Sequence, residues 1–154
     1  MASLAIEMSQ GTAQYGKQVI WNNLNLAIPP GSLLGVLGPN GSGKSTLFKV
    51  LLGFKGLSTG KVRVLGYQGK HLAKARSQIG YLPQTSQHDP RFPALVQDVV
   101  LMGLYSSLGC FHQPQQQHQE LVSSALEEVG LLDLVNEPFA HLSGGQKQRV
   151  FLAR

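Results

Sequence analysis

The chain has 154 residues, of which 42% are hydrophobic, with a mean hydropathy of −0.03 and a formal net charge of +5. This length and composition suit one folded domain with a core and exclude a largely disordered chain. No run of about 18 apolar residues and no basic-then-apolar leader occurs, so we expect neither a membrane span nor a secretory signal. The basic residues are scattered, which argues against a nucleic-acid partner. A single cysteine, Cys110, permits no internal disulfide and suits a reducing compartment such as the cytoplasm.

The N-terminal part of the sequence predicts three strands. Residues Ala2–Met8 alternate well enough for a strand, and Leu24–Ile28 predicts a second one before the turn sequence "PPG". We expect these two strands to be antiparallel. The almost wholly apolar run Leu33–Leu37 is typical of a strand that is covered on both faces in a parallel sheet.

Further along the chain, strands give way to helices. Lys61–Leu65 and Ile79–Leu82 predict short strands, whereas Val96–Leu104 and Glu120–Val129 predict helices. The polar run "HQPQQQHQ", residues 112–119, has no apolar face and predicts a surface connection or a frayed helix start. His112 and His118 lie six positions apart on a glutamine-rich surface segment, so we do not assign them to a metal site.

The sequence "GPNGSGKST", residues 38–46, matches the phosphate-binding pattern G-x-x-x-x-G-K-[S/T] and is called the phosphate loop below. An apolar run precedes it, and Leu47, Val50 and Leu51 mark one face of a helix that follows. Glycines let backbone amides point inward, and the helix N-terminus adds partial positive charge. We expect Lys44 to reach the β- and γ-phosphates and the Ser45 hydroxyl to bind Mg²⁺. The predicted nucleotide-binding residues of this loop are Gly38, Pro39, Asn40, Gly41, Ser42, Gly43, Lys44, Ser45 and Thr46.

A second glycine-containing segment, "HLSGGQKQRV", begins at His141. Ser143 and Gln146 have the spacing of a capping box, in which each side chain binds the backbone amide of the other residue. The capping box does not explain Gly144 and Gly145, each of which costs a helix about 1 kcal/mol relative to alanine. Exposed amides at the positive end of a helix dipole form an anion site. We therefore expect a second phosphate-facing feature here.

Together these motifs resemble those of the ATP-binding subunit of ABC transporters, in which "LSGGQ", here residues 142–146, is the signature motif. The resemblance implies ATP and Mg²⁺ as cofactors. It implies that Ser143, Gly144, Gly145 and Gln146 contact the γ-phosphate of ATP held by a second nucleotide-binding subunit in a homodimer. It also implies that Tyr15 stacks on adenine. The sequence "IGYLPQ" resembles the family's Q-loop, which implies a catalytic Gln84 near Mg²⁺ and the attacking water.

The resemblance further implies an α/β fold: a P-loop NTPase (RecA-like) core with an antiparallel β subdomain and a helical subdomain. Residues 1–84 would form the β subdomain and part of the P-loop core, and residues 85–154 the helical subdomain with the signature helix. The implied partners are a membrane-spanning permease subunit and, indirectly, a periplasmic or extracellular metal-binding protein. The chain would lie on the cytoplasmic face of the cell membrane. The sequence "DPRFPALVQDVVLMGLYSSLG" is most similar to importers of manganese, zinc or iron; His88 and Asp89 are not taken as metal ligands.

The sequence also departs from the family pattern. Hydrolysis in the family needs a Walker B strand that ends in an aspartate and a glutamate, and later a switch histidine. No such strand precedes Arg154, and "GLLDLV" around Asp133 does not qualify. We therefore expect an N-terminal fragment with an incomplete core sheet that is inactive in hydrolysis alone. The alternative is a non-hydrolysing nucleotide-binding fragment, or a pseudogene product, that pairs with an intact subunit. A chromosome-maintenance ATPase would need a long coiled coil between the two motifs, which is absent.

Overall fold

The computed structural model describes residues 4–82, 93–105 and 114–154. The chain divides into two compact units, Met1–Gly80 and Tyr81–Arg154. Buried hydrophobic clusters form within each unit. Each unit is therefore described by itself.

The first unit contains a four-stranded antiparallel sheet in the order β2-β1-β3-β4. The strands are β1 Ile6–Tyr15, β2 Gln18–Ile28, β3 Thr59–Val64 and β4 Tyr67–Gln68. Ile6 pairs with both Ile28 and Val64, which places β1 between β2 and β3. The antiparallel pairing predicted for the first two strands is confirmed. The first strand lies further along the chain than the predicted Ala2–Met8 and overlaps it only from Ile6 to Met8, and residues 2 and 3 lie outside the described residues. The second strand begins earlier than predicted.

One helix, α1 Lys44–Leu51, packs against this sheet. Leu47 and Val50 are three positions apart, so they lie on the same face of the helix, and they form a buried cluster with Met8 of β1. A 3₁₀ segment, Gly69–Gln78, supplies Leu72 and Ala75 to a second cluster with Val64. The phosphate loop therefore leads into a helix whose apolar face is fixed on the sheet.

Two strands predicted from the sequence do not form. Neither Leu33–Leu37 nor Ile79–Leu82 belongs to a strand, and every pairing in the sheet is antiparallel in the part of the chain that the structure describes. Leu33 and Leu37 are 102% and 94% exposed, whereas Val36 packs against the cluster around Val50. An apolar run becomes a strand only when neighbouring strands pair with its backbone. No segment in the described residues provides such a neighbour, so the parallel part of the core sheet does not form there.

The second unit is helical. Its helices are α2 Val96–Leu101, α3 Gln116–Glu128 and α4 Gly144–Ala153, with 3₁₀ turns at Met102–Leu104, Leu132–Leu134 and Phe139–His141. Its core consists of buried side chains from all three helices and the connections between them: Ala94, Val96, Val99, Val100, Val122, Leu126, Leu131, Phe139, Leu142 and Val150. The two helices predicted for this region are confirmed. None of the helices in the described residues has the length and hydrophobicity needed to span a bilayer.

Helix α3 begins at Gln116, whereas the sequence pattern predicted a start at Glu120. The backbone N–H of Gln115 donates to Nδ1 of His118 at 2.9 Å, so the histidine caps the helix N-terminus. Glutamine also has good helix propensity. The end of the polar run is therefore part of the helix.

We expect the exposed leucines to contribute little to the stability of this 154-residue chain. Leu37→Ser should change the free energy of unfolding by less than about 0.5 kcal/mol, because the Leu37 side chain buries almost no area. Val50→Ala should lower it by about 2 kcal/mol, because Val50 is fully buried. Urea denaturation followed by the fluorescence of Trp21, the only tryptophan, measures both changes. A large loss from Leu37→Ser would contradict the unpaired conformation of this segment.

Candidate functional site

Gly43 of the phosphate loop lies directly before α1, and any other residue at this position would be strained. Gly41 and Gly43 have φ angles of 83° and 92°, in the left-handed region that side chains rarely adopt. A Cβ atom on Gly43 would lie 2.5 Å from Cγ2 of Ile20 and 2.7 Å from Cδ1 of Trp21. Both the backbone conformation and the close approach of β2 therefore require glycine at position 43.

The amides of the first turn of α1 are available to a ligand. The first backbone bond of the helix runs from the N–H of Leu47 to the carbonyl of Gly43, at 2.9 Å. Gly43 has no side chain to cap the helix, and no acidic residue lies in the first turn. Among the described residues, the N–H groups of Lys44, Ser45 and Thr46 therefore have no acceptor. These donors, at the positive end of the helix dipole, form an arrangement that binds anions.

The positive charge of Lys44 lies against the start of the phosphate loop. Its Nζ atom donates to the carbonyl oxygens of Gly38 and Pro39, at 2.6 and 2.7 Å. Of the two neighbouring hydroxyl residues, Ser45 is exposed and Thr46 is buried. The loop therefore combines an ammonium group, three free amides and accessible serine hydroxyls, a set of polar groups that fits a polyphosphate with its magnesium ion.

Tyr15 lies at the end of β1, and 47% of it is exposed. The Nζ atom of Lys55 lies 4.0 Å from the centroid of its ring and donates to the carbonyl of Gln14 at 2.7 Å. No sequence pattern predicts this contact, because Lys55 belongs to no motif and is 41 residues from Gln14. The sequence analysis therefore missed Lys55 as a neighbour of Tyr15.

The second predicted phosphate-facing feature, Ser143 to Gln146, starts helix α4 with a complete capping box. The N–H of Ser143 donates to Oε1 of Gln146 at 2.8 Å, and the N–H of Gln146 donates to Oγ of Ser143 at 3.3 Å. A Cβ atom added to Gly144 or Gly145 would meet no atom within 4 Å. Contacts within the described chain therefore explain Ser143 and Gln146 but not the two glycines, whose backbone is open to an approaching molecule.

Comparison with known proteins gives the family. The sequence profile of ABC transporters matches residues 21–154. The chain belongs to the ABC transporter family. It is 40% identical over 149 residues to the manganese transport system ATP-binding protein MntB of Bacillus subtilis (strain 168), covering 97% of this chain and 58% of that protein. It is 42% identical over 151 residues to the zinc transport system ATP-binding protein TroB of Treponema pallidum (strain Nichols), covering 97% of this chain and 55% of that protein.

A solved structure also resembles the chain. The structure of a metal-chelate type ABC transporter in an inward-facing conformation superposes with a TM-score of 0.80 at 33% identity. The superposition covers 99% of this chain and 55% of that one. The chain thus spans a little over half the length of the ABC relatives that it matches.

Most of the residues that the sequence analysis predicted to bind a nucleotide lie within the described ranges. The phosphate loop and Tyr15 belong to the first unit, and Ser143 to Gln146 belong to the second. Gln84 lies outside the described residues, as do Cys110 and His112. In the three described ranges, no three His, Cys, Asp or Glu side chains gather as a metal site.

Trp21 was not singled out by the sequence analysis. Its indole N–H is buried and has no hydrogen-bond partner in the described residues. The ring lies against Gly43, because a Cβ atom there would be 2.7 Å from Cδ1. No spacing rule could have found this contact, which arises because β2 passes next to the start of α1.

We expect the two left-handed glycines of the phosphate loop to tolerate alanine differently. Gly41→Ala adds a methyl group in open space and should cost about 1–2 kcal/mol of backbone strain. Gly43→Ala adds the clash with Ile20 and Trp21 to that strain, so it should lower the free energy of unfolding further and shift the emission maximum of Trp21. Urea denaturation and fluorescence spectra of both variants test this difference. Equal effects of the two substitutions would contradict the contact between Gly43 and β2.

Proposed function

We propose that this chain is part of the ATP-binding subunit of an ABC importer for a divalent metal ion, and that its phosphate loop binds the phosphates of ATP. The observation that carries the proposal is the position of the Lys44 ammonium, held 2.6 Å from the carbonyl of Gly38 beside the free amides of Lys44, Ser45 and Thr46. The family match supports a role in ABC transport, and the similarity to ATP-binding proteins of manganese and zinc transport systems supports a divalent metal ion as the transported substrate.

Each residue of the site has a proposed task in nucleotide binding. The amides of the first turn of α1 bind the phosphate oxygens, and Lys44 adds a mobile positive charge for the β- and γ-phosphates. The exposed Ser45 hydroxyl is the ligand for Mg²⁺, which neutralises phosphate charge when bound. Tyr15 stacks on adenine. Gln84 is proposed to lie near Mg²⁺ and the attacking water.

The signature segment is proposed to act on a second molecule. In this proposal Ser143, Gly144, Gly145 and Gln146 contact the γ-phosphate of ATP held by the other nucleotide-binding subunit of a homodimer. The open surface over both glycines supports this, because it leaves room for a phosphate to approach the backbone. The chain itself is proposed to lie on the cytoplasmic face of the cell membrane. A membrane-spanning permease subunit and, indirectly, a periplasmic or extracellular metal-binding protein complete the proposed transport system.

Removing the Lys44 ammonium should weaken ATP binding. Lys44→Ala should weaken the binding of ATP with Mg²⁺ by at least about tenfold, because a charged hydrogen bond to phosphate contributes about 1.5–3 kcal/mol. Lys49→Ala is the matched control, since Lys49 is an exposed lysine of the same helix. Isothermal titration calorimetry of the 154-residue chain measures both. Equal affinities in the two variants would refute a phosphate site at this loop.

Alanine at Gly145 should weaken the proposed pairing of two chains without destabilising the fold. Gly145→Ala should leave the free energy of unfolding unchanged or raise it by up to about 1 kcal/mol, because the methyl group meets no atom and alanine favours helix. The same substitution should weaken ATP-dependent pairing of two chains, since it fills the surface offered to the partner's nucleotide. Sedimentation velocity with and without ATP measures the pairing. Gln148→Ala, an exposed substitution further along α4, should leave pairing intact. Normal pairing of Gly145→Ala would contradict the proposed role.

A further inference from the structure

Lys55 contacts Tyr15, the residue that is proposed to stack on adenine. We propose that Lys55 is a positioning residue for base recognition: it covers one face of the Tyr15 ring and holds the ring so that the other face receives adenine. This inference rests on the proposed function, in which Tyr15 contacts the base. The sequence motifs do not include Lys55, and its contact with Tyr15 joins residues that are distant in the chain.

The backbone of Lys55 is fixed by the last turn of α1. The N–H groups of Phe54 and Lys55 both donate to the carbonyl of Lys49, at 2.8 and 3.1 Å. The first turn of the same eight-residue helix carries Lys44 and the free amides. One short helix therefore positions both the phosphate-binding groups and the lysine that contacts Tyr15.

The side chain of Lys55 is held at two points. Its Nζ atom donates to the carbonyl of Gln14 at 2.7 Å and lies 4.0 Å from the centroid of the neighbouring Tyr15 ring. Lys55 is half-buried, so its ammonium is less hydrated than that of a fully exposed lysine, which strengthens its attraction to the negative face of an aromatic ring. The result is a fixed cation against one face of Tyr15.

The consequence for Tyr15 is a restricted ring orientation. Tyr15 ends β1 beside the left-handed Gly16 and remains about half exposed, so backbone pairing alone does not fix its side chain. A side chain that is already ordered loses less conformational entropy when a ligand stacks on it. A single ammonium covers one face of the ring only. Lys55 should therefore strengthen binding of the base and leave binding of the phosphates unchanged.

The test compares ATP with inorganic tripolyphosphate, which has the phosphates but no base. We expect Lys55→Met to weaken ATP binding to the 154-residue chain about two- to fivefold, as for loss of a cation–π contact near the protein surface. Its affinity for tripolyphosphate should not change. Lys55→Arg should retain the wild-type affinity for ATP, and Lys74→Met, a substitution of an exposed lysine in the 3₁₀ segment, is the matched control. Calorimetry measures the affinities, and circular dichroism at increasing temperature shows that each variant is folded.

A double substitution tests whether Lys55 acts through Tyr15. In a Tyr15→Ala background, Lys55→Met should cause no further loss of ATP affinity, because the ring that it positions is gone. Tighter ATP binding by Lys55→Met would overturn the proposal, since the lysine would then block the face needed by the base. An equal loss for ATP and tripolyphosphate, or no loss for either, would also overturn it. If the unmodified chain bound neither ligand, the proposed function itself would fail.

Discussion

The contact of the Lys44 ammonium with the carbonyls of Gly38 and Pro39 ties the phosphate loop to the first turn of α1. This arrangement depends on Gly43, which turns the chain in a left-handed conformation and lets β2 pass directly beside the helix start. The apolar face of α1 is in turn buried against the sheet through Val50. The sheet thus holds the helix, and the first turn of the helix carries free amides and a lysine, an arrangement suited to an anion.

The two glycine-containing motifs illustrate what sequence predicts well. The capping box of Ser143 and Gln146 and the helix that starts at Lys44 depend on a few neighbouring residues. Local spacing therefore predicted both helix starts. A helix over Val96–Leu104, of which Val96–Leu101 is α-helical, and the antiparallel pairing of β1 with β2 were also predicted from periodicity and turn residues.

Features that depend on distant partners were predicted poorly. The run Leu33–Leu37 has the composition of a buried strand, but hydrophobicity says nothing about whether a neighbouring strand is present to pair with it. The contact of Lys55 with Tyr15 and that of Trp21 with Gly43 join segments through the folded sheet. No local spacing encodes these contacts. They are nonetheless the contacts that surround the candidate nucleotide site.

Amide-resolved nuclear magnetic resonance of the ¹⁵N-labelled chain, titrated with ATP and Mg²⁺, tests the central claim most directly. If the phosphate loop holds the nucleotide, the largest saturable shifts will occur at the amides of Lys44, Ser45 and Thr46, since these donors lack an acceptor in the described chain. Saturable binding that leaves these three amides unshifted would contradict the account.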